Sequence, residues 1–149
     1  MQTLFDDHDR KALLDRLAAM HPEASRQWGK MNPAQMLCHC AVALEAVTGD
    51  RPMKQALIGK ILSPLVRKSA LGPKPFGKSS PTDPSFVISD ERDFDGERTR
   101  LAGLIEKFAT RGPESAGKAI HAFFGKLTGE EWGRLMHKHI DHHLRQFGQ

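Results

Sequence analysis

The stretch TGEEWGRLMHKHIDHHLRQFG, residues 128–148, decides the fold because it combines a helix start with one continuous apolar face. Thr128 is followed three residues later by Glu131, the spacing of a capping box. On a wheel of about 100° per residue, one face is centred on Trp132. The stretch therefore predicts a helix over 128–147 whose core-facing side carries Leu135, Met136, His139, Ile140, His143, Gln146 and Phe147.

The four histidines of this stretch do not point the same way. His139 and His143 lie one turn apart near the middle of the apolar face, whereas His137 and His142 lie on its flanks, where we expect greater exposure. A buried polar group without a partner costs about 1–3 kcal/mol. Residues four apart on a helix project side by side, so both rings can reach one ion. The pair predicts metal ligation over the alternative of two separate core histidines.

His39 is the candidate for a third ligand. In a helix over residues 33–48, it shares an inward face with Gln35 and the small residue Ala43, which leaves space beside the ring. Three histidines from two helices can hold one ion and leave positions open for water or substrate. A satisfied core histidine is the alternative at this position. Imidazole ligands suit Zn²⁺, Ni²⁺ or Fe²⁺, and the spacing does not choose among them.

Other polar residues near these helices give weaker signals. Cys38 and Cys40 point about 100° to either side of His39, so we interpret them as small buried residues without a disulfide. His121 is either a residue of the pocket that supports the site or a loop histidine. Glu45 points away from His39 and is a weak candidate for an acid or base.

The remaining sequence predicts an all-α protein in a single domain, residues 1–149. Asn32, Pro33 and Gln35 give the second helix a strong start. Pro64 and two glycines predict only a short helix followed by irregular chain in 53–72, and four prolines predict a loop over 73–86. Four helices in one domain suggest a four-helix bundle, with main helices over residues 6–20, 33–48, 95–110 and 128–147.

Composition sets the expected environment. The chain has 149 residues, 39% of them hydrophobic, a net charge of +4 and no apolar run of the roughly 20 residues that span a bilayer. We expect a cytoplasmic protein with a small-molecule substrate and without a membrane partner. The apolar residues near 57–66 could support a homodimer. Basic residues could contact nucleic acid or an anionic membrane, but a solvated crossover loop is the simpler interpretation; these are Lys54, Lys60, Arg67, Lys68, Lys74 and Lys78.

These motifs resemble a known superfamily. A histidine on the second helix together with HIDHHLRQ on the last helix is similar to the DinB/YfiT-like metal-binding four-helix bundles. The segments WGKMNPAQMLCHC, DFDGERTRL and HAFFGKLTGEEWGRLMHKHIDHHLRQFG resemble a bacterial branch of that superfamily known as a domain of unknown function. The resemblance covers residues 28–147. Ala122 departs from it, since proline is expected there, but this affects a loop.

The resemblance implies a metal site on His39, His139 and His143, the residues that the helical wheels also select. It implies that Gln146 supports a ligand or faces the pocket, beside Trp132, and that a long crossover, within 53–94, joins helices 2 and 3 of the bundle. It also implies a metalloenzyme that activates a low-molecular-weight thiol or water, as a thiol transferase or hydrolase. The alternative is a non-catalytic, stress-associated binding module with a structural or vestigial metal site.

Overall fold

The computed structural model describes residues 1–78, 80 and 84–149, and this part of the chain is mostly helical. A 3₁₀ turn covers Pro84–Phe86, and a short antiparallel hairpin precedes the last helix. None of the helices in the described residues is both long and apolar enough to cross a bilayer. The elements are α1 (Asp7–Ala18), α2 (Pro33–Thr48), α3 (Leu57–Ala70), α4 (Phe94–Ala116), β1 (Ile120–His121), β2 (Gly125–Lys126) and α5 (Gly129–Gln146).

The predicted helix starts of α2 and α5 are confirmed by their hydrogen bonds. The Asn32 side chain accepts from the Gln35 N–H at 2.8 Å, and the Gln35 side chain accepts from the Asn32 N–H at 2.9 Å. Thr128 and Glu131 form the same reciprocal pair at the start of α5. Each pair satisfies N–H groups that the first turn of a helix leaves free. Gly49, with φ of 83°, ends α2 in the left-handed conformation.

The core lies among α1, α2, α4 and α5. Helix α2 packs most extensively against α4, and both of them also contact α5. Helix α2 is buried along nearly its whole length, as its almost uniformly apolar sequence predicts. One connected apolar cluster takes side chains from all four helices, and among its fully buried members are Leu13, Leu17, Met36, Leu44, Leu101, Ile105, Trp132 and Ile140.

Residues 49–93 connect α2 to α4, and here the prediction of only a short helix is wrong. Helix α3 runs through Pro64 to Ala70 instead of ending early. It persists because tertiary contacts hold both ends: the Ala56 N–H donates to the Ala122 carbonyl at 2.8 Å, and Lys138 donates to the Ala70 carbonyl at 2.7 Å. The hairpin of β1 and β2, which lies between α4 and α5, is a second departure, since the sequence predicted helices and loops alone.

The end of α4 differs from its predicted boundary near residue 110. Gly112 has φ of 75° and ψ of 173°, so the regular helix is interrupted at the position that the Arg111-Gly112-Pro113 signal predicted. The chain then resumes helical geometry as far as Ala116, because Pro113 tolerates the first turn of a helix. The stop signal therefore marks a kink rather than the end of the element.

Candidate metal centre

The structure brings together His39 from α2 and His139 and His143 from α5. The Nε2 atoms of His39 and His139 lie 3.0 Å apart. One ring nitrogen from each of the three residues lies within 4.8 Å of the other two. The ring centroid of His39 lies 5.0 Å from that of His139 and 4.7 Å from that of His143. Residues 100 positions apart in the chain thus present their nitrogens to one point.

The orientation of His39 is fixed by a backbone carbonyl of the crossover. His39 Nδ1 lies 2.7 Å from the carbonyl oxygen of Phe86, at the end of the 3₁₀ turn. A carbonyl can only accept a hydrogen bond, so Nδ1 must carry the proton. The Nε2 lone pair of His39 then points toward His139 and His143. A hydrogen bond of this kind on the remote nitrogen is how proteins orient metal-binding histidines.

The orientation of His143 is fixed by Gln146. The Gln146 Oε1 atom lies 2.9 Å from His143 Nδ1, and Gln146 Nε2 donates to the Trp28 carbonyl at 2.7 Å. The Trp28 carbonyl accepts only, so it sets which end of the amide faces His143. Oε1 therefore accepts from His143 Nδ1–H, and His143 Nε2 is left with a free lone pair.

A close approach of the loop before α2 holds Gln146 in place. Gly29 has φ of 79°, and a Cβ atom there would collide with Gln146 Nε2. The Gln27 N–H also donates to the Gln146 backbone carbonyl at 2.7 Å. This loop thus fixes both the backbone and the side chain of Gln146, and glycine at position 29 is what allows the contact.

Burial keeps the three imidazoles neutral near pH 7. Removal from water lowers the pKa of His39, while its hydrogen bond to the Phe86 carbonyl opposes that shift. Burial and the neighbouring histidines lower the pKa of His139 well below its usual value. Burial, with His39 beside it, lowers the pKa of His143 to about 3, although the Gln146 hydrogen bond opposes the shift. Neutral imidazole is the form that binds a metal ion.

The arrangement fits a divalent metal. Two nitrogens bound to one Zn²⁺ at about 2.0–2.1 Å lie roughly 3 Å apart, close to the separation of the His39 and His139 nitrogens. His39 is 2% exposed, whereas His139 and His143 remain partly exposed. The three nitrogens therefore supply three positions of a potential coordination sphere, and no fourth protein ligand belongs to the cluster within the described residues.

The other predicted site residues make different contacts, and the contacts show what each residue does. Gln146 contacts His143 directly. Gln35 caps α2 and donates to the Asp90 carbonyl at 3.1 Å, which ties the crossover to the start of that helix. Trp132 is buried in the core, with its ring 5.3 Å from the ring of His121. His121 Nδ1 accepts from the backbone N–H groups of Phe123 and Phe124, so it organises the hairpin.

The prediction that His137 would be exposed is wrong. His137 is 4% exposed because α1 packs over this flank of α5. Arg16 of α1 forms an ion pair with Asp141 of α5 at 2.7 Å, which closes the two helices over the flank. His142 stays partly exposed, as predicted, and contacts Trp28 and Phe76.

The two cysteines and Glu45 lie outside the cluster. Cys38 and Cys40 are buried and free, as predicted. Glu45 forms an ion pair with Arg100 of α4 at 2.5 Å, and Arg100 also binds Glu97 at 2.9 Å. This network occupies the Glu45 carboxylate between α2 and α4, so it offers no acid or base to the histidines.

Sequence reasoning missed the Phe86 and Trp28 carbonyls. Both fix ligand orientation through backbone oxygens, which every residue type carries, so side-chain identity gives no signal for them. The one available hint was Gly29, since a glycine can mark a close backbone approach.

The chain was compared with known families, curated proteins and solved structures. Residues 2–149 match the family described as "Protein of unknown function (DUF1569)". The chain belongs to the DUF1569 family. Neither the curated proteins nor the solved structures gave a match. The DUF1569 assignment covers α2 and α5 together, so the three histidines lie within the region that defines the family match.

Replacing Gln146 by leucine is expected to weaken the affinity of the protein for Zn²⁺ by about 10–100-fold, as is typical when a partner of a metal ligand is lost. Leucine cannot accept from His143 Nδ1–H, so the ring loses its fixed orientation. Calorimetric titration of the metal-free protein measures the change. Gln27→Leu is the matched control, because Gln27 uses its backbone N–H toward Gln146. Equal affinities for both variants would contradict the assigned role of Gln146.

Proposed function

We propose that this protein binds one divalent metal ion through His39, His139 and His143 and acts as a metalloenzyme. The observation that carries the proposal is that one ring nitrogen from each of the three histidines converges on the same place. In His39 and His143 the other ring nitrogen, Nδ1, is held by an acceptor, the Phe86 carbonyl and Gln146 Oε1 respectively. Zn²⁺, Ni²⁺ and Fe²⁺ all suit this ligand set.

The partly exposed side of the cluster supports catalysis over a purely structural role. Structural metal sites use four protein ligands and are closed, whereas catalytic sites keep a position for water or substrate. Here three imidazoles come from the protein, and two of them are reached by solvent. A bound divalent metal lowers the pKa of a water or thiol that coordinates to it. We therefore infer a thiol transferase or a hydrolase that acts on a small molecule.

The protein positions the three ligand rings and shields part of the site from water. His39 anchors the site to the buried helix α2, and Gln146 and the Phe86 carbonyl hold two rings in their ligating tautomer. Trp28 and Phe76 both contact His142, the residue next to the ligand His143.

The packing of α1, α2, α4 and α5, together with the long connection between α2 and α4, supports a DinB-like four-helix bundle as the architecture. In that arrangement one histidine of the second bundle helix and two of the last helix share the site. The fold proposal and the metal proposal are separable, because the histidine geometry stands without the superfamily assignment.

The test is a Co²⁺-substituted protein titrated with a small thiol such as glutathione. An open position predicts one Co²⁺ per chain and a new sulfur-to-cobalt charge-transfer absorption when the thiol is added. Binding of Co²⁺ without any spectral response to thiol or to a water-competing anion would show a closed site, and it would favour the non-catalytic module. Failure to bind any divalent metal stoichiometrically would overturn the proposal as a whole.

A further inference from the structure

Helix α3 presents its apolar face away from the protein. Residues at the spacing i, i+1, i+4, i+5, i+8 and i+9 form one side of the helix. Surfaces of monomeric proteins rarely expose apolar patches larger than a few hundred Å². This face consists only of large aliphatic side chains, each between 39% and 79% exposed: Leu57, Ile58, Ile61, Leu62, Leu65 and Val66.

The opposite, more polar side of α3 is the one that docks on the protein. Gly59 and Ser63 are buried, and a Cβ atom at Gly59 would lie 2.9 Å from the Cα atom of Phe123. Arg67 forms an ion pair with Glu131 of α5 at 2.9 Å. The usual orientation of a surface helix, apolar side inward, is reversed here. The outward apolar face is therefore a property of the docked helix and not a sign that it is detached.

The chain segment that contains α3 carries charge of one sign. Residues 51–82 contain no aspartate or glutamate and seven cations. Within the described residues, all five lysines of this segment are exposed, and none of them forms an ion pair with a carboxylate. They lie before, on and after the helix. The cations of this segment are Arg51, Lys54, Lys60, Arg67, Lys68, Lys74 and Lys78.

We propose that α3 docks the protein onto an anionic lipid surface, with its aliphatic face among the acyl chains and its lysines at the phosphate level. An amphipathic helix with an aliphatic face and basic flanks is the pattern of in-plane membrane binding. Long lysine side chains can reach from the edge of the apolar face to the headgroups. This proposal replaces the expectation of no membrane partner, since a linear sequence does not show which side of α3 the protein covers.

Charge favours an anionic lipid surface over a second copy of the chain as the partner of the apolar face of α3. Pairing two α3 faces would bring two sets of lysines together, and residues 51–82 offer no carboxylate to compensate for them. An anionic bilayer supplies the opposite charge and covers the same apolar area. The inference does not rest on the metal proposal, because α3 contributes no ligand to the three histidines.

The test is co-sedimentation of the full chain with vesicles of phosphatidylglycerol and phosphatidylcholine, compared with vesicles of phosphatidylcholine alone. We expect binding to the anionic vesicles only. It should weaken as salt rises from about 0.1 M to about 1 M, since the Debye length falls from about 10 Å to about 3 Å. Equal binding to both kinds of vesicle, or to neither, overturns the proposal.

Two pairs of variants separate the contributions. Ile61→Ser with Leu65→Ser should reduce binding more than tenfold, while Val87→Ser, at an exposed apolar residue outside α3, should leave it unchanged. Lys60→Glu with Lys68→Glu should also reduce binding more than tenfold, because each lysine near an anionic surface contributes about fivefold. Lys118→Glu is the control for the lysine variants, because Lys118 is exposed but lies outside the α3 segment. Because these positions are exposed, circular dichroism should show an unchanged fold.

Two results would overturn the assignment of α3. The first is vesicle binding that survives both α3 double variants. The second is a dimer in analytical ultracentrifugation that dissociates in Ile61→Ser with Leu65→Ser, while the wild type ignores anionic vesicles. That second result would assign the face to another copy of this chain.

Discussion

Replacing His39 by alanine is expected to lower the affinity of the protein for Zn²⁺ by more than about 100-fold. The loss should exceed that of Gln146→Leu, since losing a partner of a ligand already costs 10–100-fold in affinity. His39 is the single ligand from α2, so the variant retains only the His139–His143 pair on α5. Calorimetric titration of the metal-free protein and elemental analysis of the purified protein measure the change.

The matched control for this prediction is His142→Ala. His142 lies next to His143, with ring centroids 5.2 Å apart, but it does not belong to the converging cluster. It should bind Zn²⁺ with nearly wild-type affinity. Because His39 is buried, its replacement also removes packing, so the thermal unfolding of both metal-free variants must be compared. If His39→Ala stays folded and binds Zn²⁺ as tightly as His142→Ala does, the three-histidine site is wrong.

Replacing Gly129 by alanine is expected to destabilise the protein by about 2 kcal/mol, as overpacking typically does. Gly129 is the first residue of α5, and a Cβ atom there would collide with the Pro113 carbonyl oxygen and lie 2.6 Å from the Pro113 Cα atom. These are backbone atoms of the kink in α4, so no side-chain rotation relieves the contact. The start of α5 would have to move away from α4.

Thermal unfolding measures this change, with an expected fall in Tm of about 4–8 °C at 2–4 °C per kcal/mol. Gly103→Ala is the control, because a Cβ atom at Gly103 meets no atom within 4 Å and the residue lies inside α4. There alanine should stabilise by roughly 0.5–1 kcal/mol, since it favours helix over glycine. A Gly129→Ala protein as stable as Gly103→Ala would mean that α4 and α5 do not approach as closely as described.

Local sequence signals predicted the helices well where they carried their own caps. Asn32 with Gln35 and Thr128 with Glu131 fix the starts of α2 and α5 through contacts only three residues apart. Such contacts depend on nearby residues, so a pattern in the sequence is sufficient. The boundary at Gly112 was weaker, because the same glycine and proline that stop a helix can also begin the next turn.

The sequence also predicted the candidate ligands, because helical periodicity places His139 and His143 on one face and His39 on an inward face of α2. Periodicity alone could not predict that the two faces meet, since His39 and His139 are 100 positions apart. It misjudged His137 for a related reason. A helical wheel shows the direction of a side chain, but α1 decides whether that direction leads to solvent.

The sequence by itself thus determined helices α2 and α5, their caps and the three inward histidines, because these follow from contacts and periodicity within a few turns. Only the tertiary structure decided that Phe86 and Gln146 orient two of the rings, and that α3 turns its aliphatic face outward. Both depend on segments far apart in the chain. Backbone carbonyls and docking faces are set by how the whole chain packs, and residue type alone does not encode them.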